Sequence, residues 1–234
     1  LDRLESAIQL QKDFIANSSH ELRTPLTVIT GQLDVTLLKE RSKEEYKAAL
    51  VSVLEEIRRL NSLTNKLLIL SRAGTDFHVE QFQEIRIDEI LWKARAEVIK
   101  RDENYVVNIS FDDSISGEQH FSVSGNSQLL KTAFINLIEN GCKYSDTHET
   151  EIRLVVREDE LVVIFSDSGI GIPEEEMNLI FQPFYRGSNV QDSGGHGIGL
   201  SLVEQIISIH QGTIDVRSAP GEGTEFELTL PLNI

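Results

Sequence analysis

The sequence predicts an α+β protein in two parts: a helical hairpin that builds a four-helix bundle with a second copy of itself, then an α/β sandwich. Three observations carry that expectation. Apolar residues recur at spacings of three and four through about the first 70 positions, the period of an amphipathic helix. Beyond about residue 84 the pattern breaks into short β-branched runs and shorter helical stretches. Charge divides the same way: residues 1–75 hold 11 basic and 10 acidic side chains, net +1, whereas the remainder carries −17. The asymmetry puts a boundary near residue 75, with a helical domain over 1–75 and a second domain over 84–234. A chain of 234 residues has room for about two ordinary domains.

The first helix is read from Leu1, Leu4, Ile8, Ile15, Leu22, Leu26, Ile29, Leu33 and Leu37, which fall on one stripe at 3.6 residues per turn. A polar break, "KERSKEE", follows. A second stripe then runs through Tyr46, Leu50, Val53, Ile57, Leu60, Thr64, Leu67 and Leu70. Two such helices joined by a short polar turn form an antiparallel hairpin. One hairpin cannot cover both its apolar faces, so a homodimer is expected.

Within "FIANSSHELRTPLTVITG" (residues 14–31), His20 lies on the opposite side of the helix from the seam. Pro25 interrupts the same helix. It removes one backbone hydrogen bond and collides with the carbonyl of Glu21, in a position that costs about 3 kcal/mol against alanine. Bending beside His20 is therefore expected. A neutral imidazole can act as a nucleophile when a carboxylate fixes its tautomer and takes up its proton, and Glu21 is placed to do so. Thr24, one turn on, is placed to position a water. "HELRT" is not a zinc-protease motif, because position 24 is threonine where a second histidine is required.

In the second domain, "IDEILWKARAEVIK" and "SQLLKTAFINLIENGCKY" read as helices, and "VVNISF", "EIRLVVRE", "ELVVIFSD", "GTIDVRS" and "GTEFELTLP" read as strands. A polar linker is expected around 73–83. Three glycine segments punctuate the domain: "DSGIGI" (167–172), "GGHGIGLSLV" (194–203) and "GEGTEF" (221–226). Glycine allows positive φ and close backbone approach, both of which suit phosphate binding. The middle segment opens an amphipathic helix, whose first amides make an anion site. It is neither a Walker loop, lacking Lys-Ser/Thr, nor a Rossmann turn, lacking a strand before it. On the helix 129–144, Asn136 and Asn140 share a face with Lys143 nearby, a set able to hold Mg²⁺ through amide oxygen and phosphate through ammonium.

Composition narrows the class. The 40% hydrophobic content suits a globular core. No apolar run approaches the roughly 18 residues of a membrane span, and no signal peptide is apparent. Cys142 is the sole cysteine, so no intrachain disulfide forms and a reducing, cytoplasmic setting is expected. The acidic second half argues against nucleic acid as a partner. The opening "LDRLES" is already in helical register, which reads as the interior of a longer protein.

Taken together, these motifs resemble the cytoplasmic core of sensor histidine kinases of two-component systems, and the likeness runs over nearly the whole chain. "HELRTPL" is similar to that family's H-box, "NLIENGCKYS" to its N-box, "DSGIGI" to its first glycine box, "FQPFYRG" to its F-box, and "GGHGIGLSLV" and "GEGTEFEL" to its later glycine boxes. The resemblance implies a dimerisation and phosphotransfer hairpin followed by an α/β sandwich of the histidine-kinase/gyrase-like ATPase type. It implies ATP and Mg²⁺ as cofactors, with His20 as phosphoacceptor, Glu21 as its acid–base partner and Thr24 as a contributor to dephosphorylation. Asn140 would ligate Mg²⁺ with Asn136 beside it, and Lys143 and Tyr144 would touch phosphates and ribose. Asp167 would accept from the adenine amino group, with Gly169 and Gly171 letting the base lie close. Arg186 would help neutralise the γ-phosphate, and a mobile lid would span about 187–198. Gly195, Gly197, Gly199, Leu200 and Thr224 complete the nucleotide contacts by motif position.

The partners implied are a response-regulator receiver domain and a second copy of the chain, in a parent anchored to a membrane. Gly141 departs from the alanine usual in the N-box and is expected to loosen that helix end. The same fold serves gyrase-like and chaperone ATPases, where a glutamate four residues before the metal-binding asparagine activates water. Here Asn136 holds that place and Glu139 is out of phase.

Overall fold

The computed structural model describes residues 2–71, 82–112, 121–157, 159–190 and 195–232, with side chains from residue 8 onward. The chain divides into two compact units, residues 1–73 and 74–234. Most of the expected linker at 73–83 lies outside the described residues, as do 191–194 of the expected lid.

The first unit is a hairpin of α1 (Asp2–Leu37) and α2 (Lys43–Ser71). Its turn is specified by two neighbouring residues. Arg41 donates to the carbonyls of Val35 and Thr36, covering orphan acceptors at the end of α1. Ser42 and Glu45 form a reciprocal capping box: Ser42 N–H donates to the Glu45 carboxylate at 2.8 Å, and Glu45 N–H donates to Ser42 Oγ at 3.2 Å.

Inside the hairpin, Pro25, Val53, Leu63 and Leu67 are buried and Leu22, Ile29 and Leu60 are half-buried. Gln32 and Ser52 bond across the helices at 3.2 Å. The predicted stripes therefore lie askew. One part packs within the hairpin, while Ile15, Leu26, Leu33, Leu37, Leu50 and Ile57 remain exposed, as do Leu54 and Leu68 outside the stripes. Helix α1 continues through Pro25 without a break. Around it Ser18, Ser19, Thr24, Thr27, Thr30 and Thr36 each donate a hydroxyl to the carbonyl four residues back, a pattern that bends helices gently.

The second unit contains β1 (Gln83–Arg86), α3 (Ile87–Arg101), β2 (Val106–Phe111), β3 (Ser122–Gly125), α4 (Ser127–Tyr144), β4 (Glu149–Arg157) and β5 (Glu160–Asp167). A 3₁₀ turn (Glu174–Glu176), α5 (Gly199–Ile209), β6 (Thr213–Ala219) and β7 (Gly223–Pro231) follow. The main sheet has the order β2-β4-β5-β7-β6, antiparallel except for the parallel pair β2–β4. Helices α3, α4 and α5 lie side by side, with α4 packed on β4 and β5, α5 on β6 and α3 on β2. This is the expected two-layer sandwich. Phe134, Leu130 and Ile138 of α4, Leu202, Ile206 and Ile207 of α5, and Leu154, Leu161, Leu228 and Leu230 of the sheet are fully buried between the layers.

Two strands were not legible. β1 and β3 pair as a separate antiparallel ribbon of four residues each, too short and polar to show a period. His210 secures this corner. Buried at the end of α5, it accepts from Asn126 N–H at Nε2 (3.0 Å), and its Nδ1 lies 2.7 Å from the Ile206 carbonyl. That set of partners specifies the Nδ1–H tautomer, burial pushes the imidazole pKa down, and the ring stacks on Phe82 at 4.9 Å. Asn126 in turn caps α4, accepting from the N–H groups of Gln128 and Leu129. Among the described residues no helix is long and apolar enough to cross a membrane.

Candidate functional site

In the first unit, His20 is exposed on α1 and Glu21 is half-buried. The Thr24 hydroxyl donates to the His20 carbonyl at 3.3 Å, so its proton is committed to the backbone while its lone pairs stay available as acceptors.

In the second unit, the glycine segments converge on α4. Asn136 is buried, and its Nδ2 donates to the Thr132 carbonyl at 2.6 Å. A Cβ on Gly199, the first residue of α5, would stand 3.2 Å from Asn136 Oδ1 and 3.9 Å from Asn140 Nδ2. A Cβ on Gly195 would stand 3.5 Å from Lys143 Nζ. The start of α5 thus faces both carboxamides. It has no side-chain cap, since Ile198 occupies the cap position, and Leu200 is half-buried just inside. Lys143 donates to the Tyr144 hydroxyl at 3.3 Å and lies 4.9 Å over its ring. Gly197 is left-handed (φ 67°) and accepts at its carbonyl from Phe184 N–H at 2.8 Å, joining the glycine segment to "FQPFYRG".

The C-terminal end of α4 is tied to "DSGIGI". Tyr144 carbonyl accepts from Ile170 N–H at 3.1 Å, and Ser145 bridges to Gly169. A Cβ on Gly169 would fall 2.2 Å from the Tyr144 carbonyl oxygen, so no larger residue fits. Asp167 ends β5 half-buried, paired with Thr224 of β7. Burial pushes its carboxyl pKa up, against the backbone N–H groups of Gly169 and Thr224 that favour the ionised form. One carboxylate oxygen accepts from Gly169 N–H at 2.9 Å. Gly171 is left-handed (φ 65°) and packs so closely on Ala219 that a Cβ would meet its carbonyl oxygen at 1.9 Å. The third glycine segment closes the same wall through Ser218, which donates to the Gly223 carbonyl (2.6 Å) and accepts from Ile172 N–H (2.9 Å).

Asn136, Asn140, Lys143, Tyr144, Asp167, Gly169, Gly171, Gly195, Gly199 and Thr224 are thereby brought to one end of α4. Arg186 stands apart on the loop after "FQPFY", exposed, with its guanidinium donating to the Val190 carbonyl at 3.3 Å. Sequence reasoning missed Ser145, Ser218 and Glu176. Serines in strands and turns carry no signal, and Glu176 sits third in an acidic run that reads as a solvated face.

The chain thus sets an exposed histidine on a helical hairpin in one unit and gathers carboxamides, a lysine and close-packed glycine turns in the other. Two family models match: the His Kinase A (phospho-acceptor) domain over residues 10–76, and the histidine kinase-, DNA gyrase B- and HSP90-like ATPase over 125–234. The chain is 30% identical over 230 residues to the phosphate regulon sensor protein PhoR of Pseudomonas aeruginosa, covering 96% of this chain and 51% of that protein. It is 31% identical over 232 residues to the sensor-like histidine kinase SenX3 of Mycobacterium tuberculosis, covering 98% and 55%. The chain thus spans about half the length of these relatives. Its fold is shared with histidine kinase ThkA, solved in complex with response regulator protein TrrA, at a TM-score of 0.68 and 21% identity over 98% of this chain and 64% of that one. The chain belongs to the sensor histidine kinases.

Proposed function

We propose that this chain is the kinase core of a two-component sensor: it phosphorylates His20 from ATP, then passes the phosphoryl group to an aspartate of a response-regulator receiver domain. The observation that carries this reading is the meeting of the middle glycine segment with the carboxamides and lysine of α4, with "DSGIGI" seated on the end of the same helix, in a chain that also presents His20 to solvent. The residues fit a magnesium nucleotide. The space that a Cβ at Gly199 would fill lies against Asn136 and Asn140, and that at Gly195 against Lys143.

On this reading Asn140, with Asn136 beside it, holds Mg²⁺ through amide oxygen, and Lys143 and Tyr144 hold phosphate and ribose. Asp167 keeps one oxygen for Gly169 and offers the other to the adenine amino group. Gly171, Gly197, Leu200 and Thr224 shape the walls. Bound ATP supplies the electrophilic γ-phosphoryl group, and Arg186 helps neutralise it. One ring nitrogen of His20 would attack the γ-phosphorus as its bond to the β,γ-bridging oxygen breaks and ADP leaves, while Glu21 takes the proton from the far ring nitrogen, so catalysis is positioning and charge neutralisation. Thr24, its oxygen still an acceptor, orients water when the regulator is dephosphorylated. The exposed apolar face of the hairpin pairs with a second copy. The parent protein is anchored to a membrane with this core in the cytoplasm, a reading supported by relatives named as sensors and about twice as long.

An ATPase that spends its nucleotide on water needs a carboxylate base near the metal. Asn136 occupies that place, and Glu139 is engaged by Arg101, which also grips Glu97. Both facts favour transfer to a side chain. Incubation with γ-labelled Mg·ATP tests the reading. Acid-labile, base-stable label should appear on the wild-type chain and vanish in His20→Gln; free phosphate without protein label would overturn it.

A further inference from the structure

The acidic run Glu174–Glu176 holds two exposed carboxylates and one buried one. Glu176 is only 7% exposed, and its side chain turns into the loop that carries Arg186. Its two oxygens accept from Ser188 N–H at 3.1 and 3.3 Å, with the side chains of Ser188 and Tyr185 close enough to favour the ionised form. Those donors hold its carboxyl below the usual range, so it is ionised at neutral pH. Tyr185 and Ser188 bracket Arg186 and Gly187. The peptide that bears the arginine is therefore wrapped around one carboxylate.

Two further features fit that arrangement. A Cβ on Gly187 would stand 2.9 Å from Glu176 Oε2, so glycine is what lets the carboxylate come this close. Asn189 Nδ2 donates to the Gly171 carbonyl at 2.9 Å, mooring the far side of the same loop to the glycine turn expected to receive adenine. A charged side chain on a loose surface loop pays a large entropic cost to be held on a ligand, and a loop folded in advance removes much of it.

We propose that Glu176 is a positioning residue for Arg186. By holding Ser188 N–H and lying close against Gly187 it fixes the backbone from which the guanidinium meets the γ-phosphate, and so governs discrimination of nucleoside triphosphate from diphosphate. The inference rests on the kinase reading above. It assigns Glu176 no contact with nucleotide.

The test is calorimetric titration of the full chain with Mg·ADP and with the Mg²⁺ complex of β,γ-methylene-ATP. Glu176→Ala should weaken the triphosphate analogue about tenfold, within the range for hydrogen bonds to charged groups. Mg·ADP affinity should stay within about twofold, since the groups facing adenine and the first two phosphates are elsewhere. Glu176→Gln, which keeps one acceptor oxygen, should lie between wild type and alanine. Gly187→Ala, which pushes the carboxylate away, should give the same selective loss by an independent route. Adding Glu176→Ala to Arg186→Ala should cost nothing more for the triphosphate, because the two act as one unit. Equal weakening of both ligands by these variants, additive losses with Arg186→Ala, or no change at all would overturn the inference alone. Failure of the wild-type chain to bind either nucleotide would overturn the kinase reading, and this inference with it.

Discussion

At the scale of single residues, Asp167 shows how stability is set against binding. Its carboxylate is drawn out of water at the end of β5, so burial raises its pKa above the 3.8 of a free aspartate. A raised folded-state pKa means a contribution that is full below the unfolded value and lost as pH rises through the folded one. At neutral pH the charge therefore works against the empty unit. Asp167→Asn should leave the melting temperature at pH 7 unchanged or higher, with any gain shrinking toward pH 4, as scanning calorimetry would register. It should weaken ATP at least about tenfold, because the new amide sets a donor against the adenine amino group.

Asp167 was legible as a site residue only through the glycines that follow it. Its pairing with Thr224 lies across a chain separation that no local period reveals. Glu176 was not legible at all. Three consecutive glutamates look alike until the fold buries one of them.

At the scale of elements, α4 carries a departure that the sequence misrepresents. Gly141, expected to loosen the helix end, is instead buried under Thr150 of β4. A Cβ there would meet Thr150 Oγ1 at 2.3 Å. Thr150 cannot easily yield, since its hydroxyl donates to the Ile138 carbonyl and lies 3.2 Å from Cys142 Sγ. Alanine normally gains about 1 kcal/mol over glycine within a helix, but overpacking costs about 1–3 kcal/mol, so the clash wins. Gly141→Ala should destabilise the second unit by about 1 kcal/mol in urea titrations. In a Thr150→Ala background the same change should be neutral or stabilising.

Helix and strand periods were plain in the sequence because each main element buries one face. The ribbon of β1 and β3 escaped because it covers little of the core and is held by His210, contributed from the other end of the domain. The stripes of α1 and α2 were likewise correct as helices and incomplete as an account of what each residue meets. Only part of the apolar band packs inside the hairpin, where, among the described residues, Pro25, Val53, Leu63 and Leu67 are buried.

At the scale of the whole molecule, the remaining band calls for a partner. Leu26 and Leu33 on α1, and Leu50 and Ile57 on α2, are exposed at heptad spacing, and large apolar surfaces are seldom left open on soluble monomers. Leu33→Asp with Leu50→Asp should shift the chain from dimer to monomer in light scattering and abolish labelling of His20. Nucleotide affinity, a property of the other unit, should be kept. Retention of the dimer would place the pairing face elsewhere on the hairpin.

The strand order has a consequence for how such a chain comes to life. β7, which follows the other described strands in the chain, lies between β5 and β6 in the interior of the sheet, and the pairing that sets Thr224 against Asp167 awaits it. A polypeptide emerging from the ribosome thus completes its helical hairpin early, from neighbouring contacts. The wall that joins Asp167 to Thr224 is finished only once β7 has been made. A cut within β7 would remove an inner plank of the sheet rather than trim an edge.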